Sequence, residues 1–260
     1  MEEMLIETVK ADSAIDWSPH HHAYVNPYNG CTAGCPFCFW LSRPGWEGRI
    51  QIRENITEIL EDELKKYDPK EFIYFGSICD PFMEIDRELG LSRKCLDLIR
   101  QYQIPLLITT SATNDVVRRD VDILKSMKQR VIVVVELTRL KLLREWNSGG
   151  VHAGIENANY LLEQGLEVWA TLSPILPGVT DLDRVLKELN PAIPVYVDSL
   201  QCEKGGIQER KVLDWIRTEH PELEEQYIDI LLNSNTGYFE EILEKQKSNQ
   251  RVMTFPYRLD

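Results

Sequence analysis

The chain has 260 residues, with 42 acidic against 29 basic side chains and a formal net charge of −13. Apolar residues make up 43% and aromatic residues 9%, enough for a buried core, so disorder is excluded as the default state. The acidity argues against a general duplex-binding role, because non-specific DNA binding draws most of its free energy from Lys and Arg neutralising phosphates.

Along the chain, the start Met1-Glu2-Glu3-Met4-Leu5-Ile6 has no basic leader region, and no later run approaches the roughly 20 apolar residues of a membrane span. A soluble, cytoplasmic protein is expected. Tyr24-Val25-Asn26-Pro27 reads as a short strand entering a cysteine-rich loop that turns at Asn29-Gly30. From Glu54 to Tyr67, Ile56, Ile59, Leu60 and Leu64 recur at helical spacing, and Asp68-Pro69 ends the helix. A strand over Phe72 to Phe75 stops at Gly76, a helix covers Ser92 to Tyr102, and Ile104 to Thr109 is a near-continuous apolar run. The alternation then repeats: helix Asp115 to Met127, strand Val131 to Val135, helix around Glu156 to Gln164, strand Val168 to Leu172, helix Asp181 to Leu189, strand Pro194 to Asp198.

Helices alternating with short, uniformly apolar strands predict an α/β fold with a parallel sheet covered by helices. About six such units suit an open, partial (β/α)6 TIM-like barrel better than a doubly wound sheet. From Gln208 onward the helices are strongly charged, as in Glu222 to Gln226 and Glu240 to Lys247. They read as the solvated face of helices that close the barrel. Without repeats or a low-complexity linker, residues 1–260 form one expected domain, with a core at about 22–200 and a closing segment at 201–260.

Six cysteines are too sparse for a disulfide scaffold, but Cys31, Cys35 and Cys38 fall in one short window. A C-x3-C-x2-C loop, turned tightly by Gly30, Gly34 and Pro36, points three thiolates into one concave pocket. A tetrahedral structural zinc wants a fourth protein ligand, and a closed [4Fe–4S] cluster wants a fourth cysteine. Three cysteines leave one iron open to substrate or cofactor. His20, His21 or His22 could complete a Cys3His zinc site, and Cys79, Cys95 or Cys202 could close a cluster. The x3 spacing is atypical of zinc knuckles, and the loop follows the first strand of the expected barrel, where active sites gather; both favour the open iron–sulfur site.

C-x3-C-x-aromatic-C, with Phe37 as the aromatic, resembles the signature of radical S-adenosylmethionine (SAM) enzymes. Asn26-Pro27-Tyr28-Asn29-Gly30-Cys31 and Gly76-Ser77-Ile78-Cys79-Asp80-Pro81-Phe82 are similar to words of the branch that contains spore photoproduct lyase and its uncharacterised relatives. Arg119-Asp120-Val121-Asp122-Ile123-Leu124 and Pro174-Ile175-Leu176-Pro177-Gly178-Val179-Thr180-Asp181 follow in the expected order. The resemblance spans Asn26 to about Asp181 and leaves the C-terminal third unmatched.

It implies a [4Fe–4S] cluster on Cys31, Cys35 and Cys38, with SAM chelating the fourth iron and being cleaved after one-electron reduction to methionine and a 5′-deoxyadenosyl radical. It also implies that Phe37 and Leu176 meet adenine, that the Gly76-Ser77 turn and Asp80 segment meet the methionine end, and that Ser111 and Glu136 reach the ribose or methionine. The Lys expected at one strand end is Thr110, and the Arg expected to open the fourth helix is Gly154, so Arg139 or Arg53 is left to balance the SAM carboxylate. Spore photoproduct lyase carries a hydrogen-donating cysteine in the Gly76–Asp80 segment. Anchored on Asp80, it falls at Ser77, and Cys79, two positions on, faces the same way in an extended backbone.

The expected function is therefore hydrogen abstraction from an organic substrate; Cys79 reads either as a hydrogen donor to a product radical or as a buried, inert thiol. A lyase, an epimerase or an oxidoreductase all fit. The alternatives are a nucleic-acid photolesion lyase and a non-catalytic zinc or iron–sulfur binding module. Cys95 reads as core, and Cys202, on a loop at the active-site face, as a second radical relay or a plain loop thiol. Tyr28, Tyr74 and Tyr196 are further residues that could reach the cavity. Expected partners are a flavodoxin- or ferredoxin-type electron donor and a small-molecule or peptide substrate, with neither duplex nucleic acid nor a membrane.

Overall fold

The computed structural model describes residues 5–43 and 48–254. Residues 1–4 and 255–260, which the single-domain reading includes, lie outside the described residues. The strands are β1 (Leu5–Val9), β2 (Ile15–Trp17), β3 (Ala23–Val25), β4 (Tyr28–Asn29), β5 (Arg49–Arg53), β6 (Ile73–Phe75), β7 (Leu106–Thr110), β8 (Val131–Glu136), β9 (Glu167–Leu172), β10 (Val195–Val197) and β11 (Val252–Thr254). The helices are α1 (Ile56–Leu64), α2 (Asp86–Leu89), α3 (Leu91–Gln101), α4 (Val116–Arg119), α5 (Val121–Ser126), α6 (Leu140–Asn147), α7 (Ala153–Glu163), α8 (Leu182–Glu188), α9 (Ile207–Glu219), α10 (Glu224–Leu232) and α11 (Gly237–Gln246).

The main sheet has the order β11-β10-β9-β8-β7-β6-β3-β2. It is parallel from β3 through β11, and only β2 at the edge runs antiparallel. No closed barrel forms, in keeping with the open architecture expected. A small sheet of order β1-β5-β4 stands beside it.

One face of the main sheet is dry. Val25, Phe75, Ile108, Val133 and Ala170 are fully buried and pack on the helices. In α1 the buried residues Ile56, Leu60 and Leu64 recur every fourth position, and in α3 Leu91, Cys95 and Ile99 do the same, which is what an amphipathic helix lying on a sheet requires. Each such side chain contributes on the order of 1.5–3 kcal/mol of burial free energy.

The alternate residues tell the opposite story. Tyr24, Tyr74, Leu107, Thr109, Trp169 and Tyr196 remain partly exposed on the other face. Parallel sheets are normally covered on both sides, so this accessible face is the hollow of the half-barrel.

Two elements differ from the sequence expectation. The helix read over Asp115 to Met127 breaks into α4 and α5 at Asp120, whose fully buried carboxylate is gripped by Arg119 and Arg93. The closing segment does more than cover the barrel: β11 adds a strand beside β10, and α9 packs against the 3-10 turn Phe39–Ser42 that follows the cysteine loop.

Candidate functional site

Every strand of the parallel sheet delivers its C-terminal end to one edge, and the candidate residues gather there. The cysteine loop leaves β4, which pairs antiparallel with β5. Gly30 has φ +94°, and a Cβ on it would lie 2.0 Å from the Arg49 carbonyl oxygen, so the turn demands glycine. Tyr28, at the root of this loop, donates a short hydrogen bond to the fully buried Asp86. Asp86 is also held by Arg119 at 2.7 Å and by the Ser92 backbone N–H at 3.0 Å. The Arg119-Asp120 word thus braces the loop from behind.

Cys31, Cys35 and Cys38 are free and partly exposed, and their charges act on one another. Cys31 Sγ and Cys35 Sγ lie 3.8 and 3.9 Å from the same Nη1 of Arg139. Burial pushes the Cys35 thiol up to about 12, against the pull of the Arg139 guanidinium. Cys38 is raised for the same reason. Among the described residues no three His, Cys, Asp or Glu side chains form a group that could hold a single metal ion; a four-iron cube is wider than one ion and takes its thiolates at larger separations. His20, His21 and His22 are exposed ahead of β3, at the start of the strand whose far end leads to the cysteine loop, and His22 packs edge-on against Tyr74.

Beyond β6 the chain turns at Gly76, with φ +81° and no room for a Cβ, which would lie 2.7 Å from the Thr109 carbonyl oxygen. Asn26 Oδ1 accepts the Ile78 N–H at 3.0 Å and ties this turn to the end of β3. Both oxygens of Asp80 are engaged by protein donors: Oδ1 by Thr110 Oγ1 at 2.8 Å and Phe82 N at 3.1 Å, Oδ2 by Ser111 N at 3.1 Å and Arg139 Nη2 at 3.3 Å. Ser111 Oγ accepts from Arg139 at 2.6 Å. Burial raises the Glu136 carboxyl at the end of β8, in part offset by the Thr138 N–H donated at 2.7 Å. Leu176 is fully buried after β9, Phe37 packs on the core from the cysteine loop, and Ser77 is partly exposed at the turn.

Cys31, Cys35, Asp80, Ser111 and Arg139 are linked by contact, with Cys38 and Glu136 electrostatically coupled to them. Phe37, Gly76, Ser77 and Leu176 belong to loops following strands of the same two sheets. Cys79 is buried close to Cys31, and burial followed by the Cys31 charge raises its thiol well above the ordinary range. Cys95 is core in α3, as expected. Cys202 is partly buried after β10, its thiol raised to about 11 by burial and then by Glu209.

Thr171 is an addition that the sequence reading did not single out, and Asn26 entered that reading only as part of a strand and as the first residue of a family word. Asn26 Nδ2, Arg139 Nε and Thr171 Oγ1 are buried with no hydrogen-bond partner. Roughly nine-tenths of buried polar groups are satisfied in folded proteins; Asn26 follows β3, Arg139 follows β8 and Thr171 lies near the end of β9 opposite Glu136, so unpaired groups at these strand ends suit a polar ligand that completes them. Thr171 pairs in register with Glu136 and Tyr196, a relation that only the assembled sheet shows. The thiol set and these unpaired groups together fit a cluster bearing a polar organic ligand.

A family model described as the Radical SAM superfamily matches residues 25–189. That span holds the three clustered cysteines, Asp80, Ser111, Glu136 and Arg139, and ends before β10. An uncharacterised protein of Methanocaldococcus jannaschii is 26% identical over 231 residues, covering 81% of this chain and 84% of its own length. An uncharacterised protein of Mycobacterium tuberculosis is 25% identical over 226 residues, covering 79% of this chain and 66% of its own length. Among solved structures, spore photoproduct lyase complexed with dinucleoside spore photoproduct superposes with a TM-score of 0.60 at 12% identity, over 96% of this chain and 81% of the other. A variant of the same lyase with bound AdoMet and dinucleoside spore photoproduct gives 0.59 at 12% identity, with the same coverage. At such identities the likeness is one of fold.

Proposed function

Because the chain belongs to the radical SAM superfamily, we propose that it is a radical SAM enzyme whose Cys31, Cys35 and Cys38 hold a [4Fe–4S] cluster and whose half-barrel hollow takes an organic substrate, a small molecule or a peptide. The observation that carries this is the meeting of two of the three free thiols with one buried guanidinium at the C-terminal edge of a parallel sheet. When bound, cluster and SAM supply the one-electron chemistry that ends in hydrogen abstraction from a substrate C–H.

The chain's own residues orient and enclose. Gly30 and Gly76 let backbone approach where side chains have no room. With SAM bound, the Gly76-Ser77 turn would offer polar backbone to its amino end, Ser111 and Glu136 would serve its ribose or methionine portion, and Phe37 and Leu176 would supply apolar surface for adenine. Asp80, with both oxygens already engaged, shapes the site rather than reaching into it. Tyr74 and Tyr196, partly exposed on the hollow face, are the aromatic surfaces a substrate would meet. Reduction calls for an external donor of flavodoxin or ferredoxin type.

Anaerobic reconstitution with iron and sulfide, then dithionite and SAM, is expected to yield 5′-deoxyadenosine and methionine. Replacing Cys31, Cys35 or Cys38 by Ala should abolish cleavage and lower bound iron. Undiminished cleavage in those variants would refute the ligand assignment.

A further inference from the structure

Arg139 is a buried cation with spare donors beside the thiols. It caps the start of α6 just after β8, and its side chain is 7% exposed. Nη2 donates to Ser111 Oγ at 2.6 Å and meets Asp80 Oδ2 at 3.3 Å, Nη1 faces Cys31 and Cys35 sulfurs, and Nε is buried without a partner. Sulfur accepts hydrogen bonds weakly, while a guanidinium offers five donors. Much of the donor capacity on the cysteine side is therefore unspent.

The guanidinium is also held in place. Thr110 Oγ1, Phe82 N and Ser111 N fix the Asp80 carboxylate, and that carboxylate and Ser111 Oγ fix Arg139. Arg53 is committed elsewhere: it pairs with Asp16 at 3.2 Å and donates to the Asn26 carbonyl at 3.0 Å and to the Ser13 carbonyl. At Gly154 a Cβ would stand 3.1 Å from both His152 Cε1 and Leu137 Cδ2, which leaves a larger side chain there no ready path.

We infer that Arg139, positioned by Asp80, Thr110 and Ser111, is the cation that receives the carboxylate of bound SAM. The inference rests on the radical SAM reading and adds to it the residue that balances the charge of the cofactor. A carboxylate brought into a desolvated site is costly without a paired, hydrogen-bonded cation, and the planar fork of Arg matches a carboxylate better than a Lys ammonium does.

The test compares SAM with decarboxylated SAM on anaerobically reconstituted protein, by equilibrium dialysis, with iron and sulfide counted for each preparation. The wild type should prefer SAM. In Arg139→Gln that preference should fall about tenfold or more, the scale of one lost charge-assisted hydrogen bond, while affinity for the decarboxylated ligand changes little. Arg139→Lys should fall between. An Arg139→Gln protein with full iron content and an unchanged preference overturns the proposal, as does equal loss of both ligands. A wild type that binds both equally overturns it without any variant. A wild type that cleaves SAM to 5′-deoxyadenosine while giving those results leaves the radical SAM reading standing; one that loads no cluster and cleaves nothing removes both.

Discussion

Cys79 lies in the turn after β6, buried, with its thiol held well above the ordinary range by burial and then by the charge of Cys31. A hydrogen-atom donor must be S–H rather than thiolate, and burial acts in that direction by disfavouring the charged form. Changing Cys79 to Ala should therefore leave 5′-deoxyadenosine formation in place while product formation stalls or the product changes. Turnover with unaltered product would remove the thiol from the mechanism. The cysteine triad was legible in the sequence because its spacing is local, within one loop. The Arg139 contacts to Asp80, Ser111 and the two sulfurs were not, because they join residues separated by 28 to 108 positions, and only the fold brings them together. Asp80 was picked out by its place in a motif, yet its work as a brace emerges only from the donors around it.

At the scale of elements, α7 shows how a buried histidine ties helix stability to pH. His152 caps this helix, its Nδ1 accepting the Ile155 N–H at 3.4 Å while Nε2 lies 3.0 Å from the Leu137 carbonyl oxygen. Burial lowers its pKa below the model-compound value of 6.5. The folded chain thus keeps the ring neutral while the unfolded chain takes up a proton, so this contribution is full above about pH 6.5 and is lost as pH falls below it. His152→Asn retains a capping side chain without the titration. Thermal melts between about pH 7.5 and 5 should show a shallower loss of Tm for this variant than for the wild type; parallel curves would contradict the assignment. The alternating helices and strands from β6 to β10 were readable because uniformly apolar strands and fourfold helical spacing are strong signals. The small β1-β5-β4 sheet and β11 were not, since short strands with exposed side chains such as Leu5 and Ile6 carry no alternation to find. The break between α4 and α5 escaped because a buried Asp120 looks polar in sequence and becomes interior only through its Arg partners.

For the molecule as a whole, the fold creates one accessible face in a parallel sheet, with the cysteine loop and Arg139 brought together at its C-terminal rim. The chain carries a net charge of −13. Many of its arginines are committed to carboxylates, as in Arg93 with Asp120 and Asp122, Arg119 with Asp86, and Arg130 with Glu167. Among the described residues no helix is long and apolar enough to cross a membrane. Helix α9, beyond the family match, packs on the turn after the cysteine loop, so that loop and the closing segment share a wall. The most direct measurement is electron paramagnetic resonance of the anaerobically reconstituted, dithionite-reduced protein before and after SAM is added. The account predicts a reduced [4Fe–4S] signal that SAM visibly changes, because one iron is open to it. Zinc in place of iron, or a cluster signal indifferent to SAM, would contradict it.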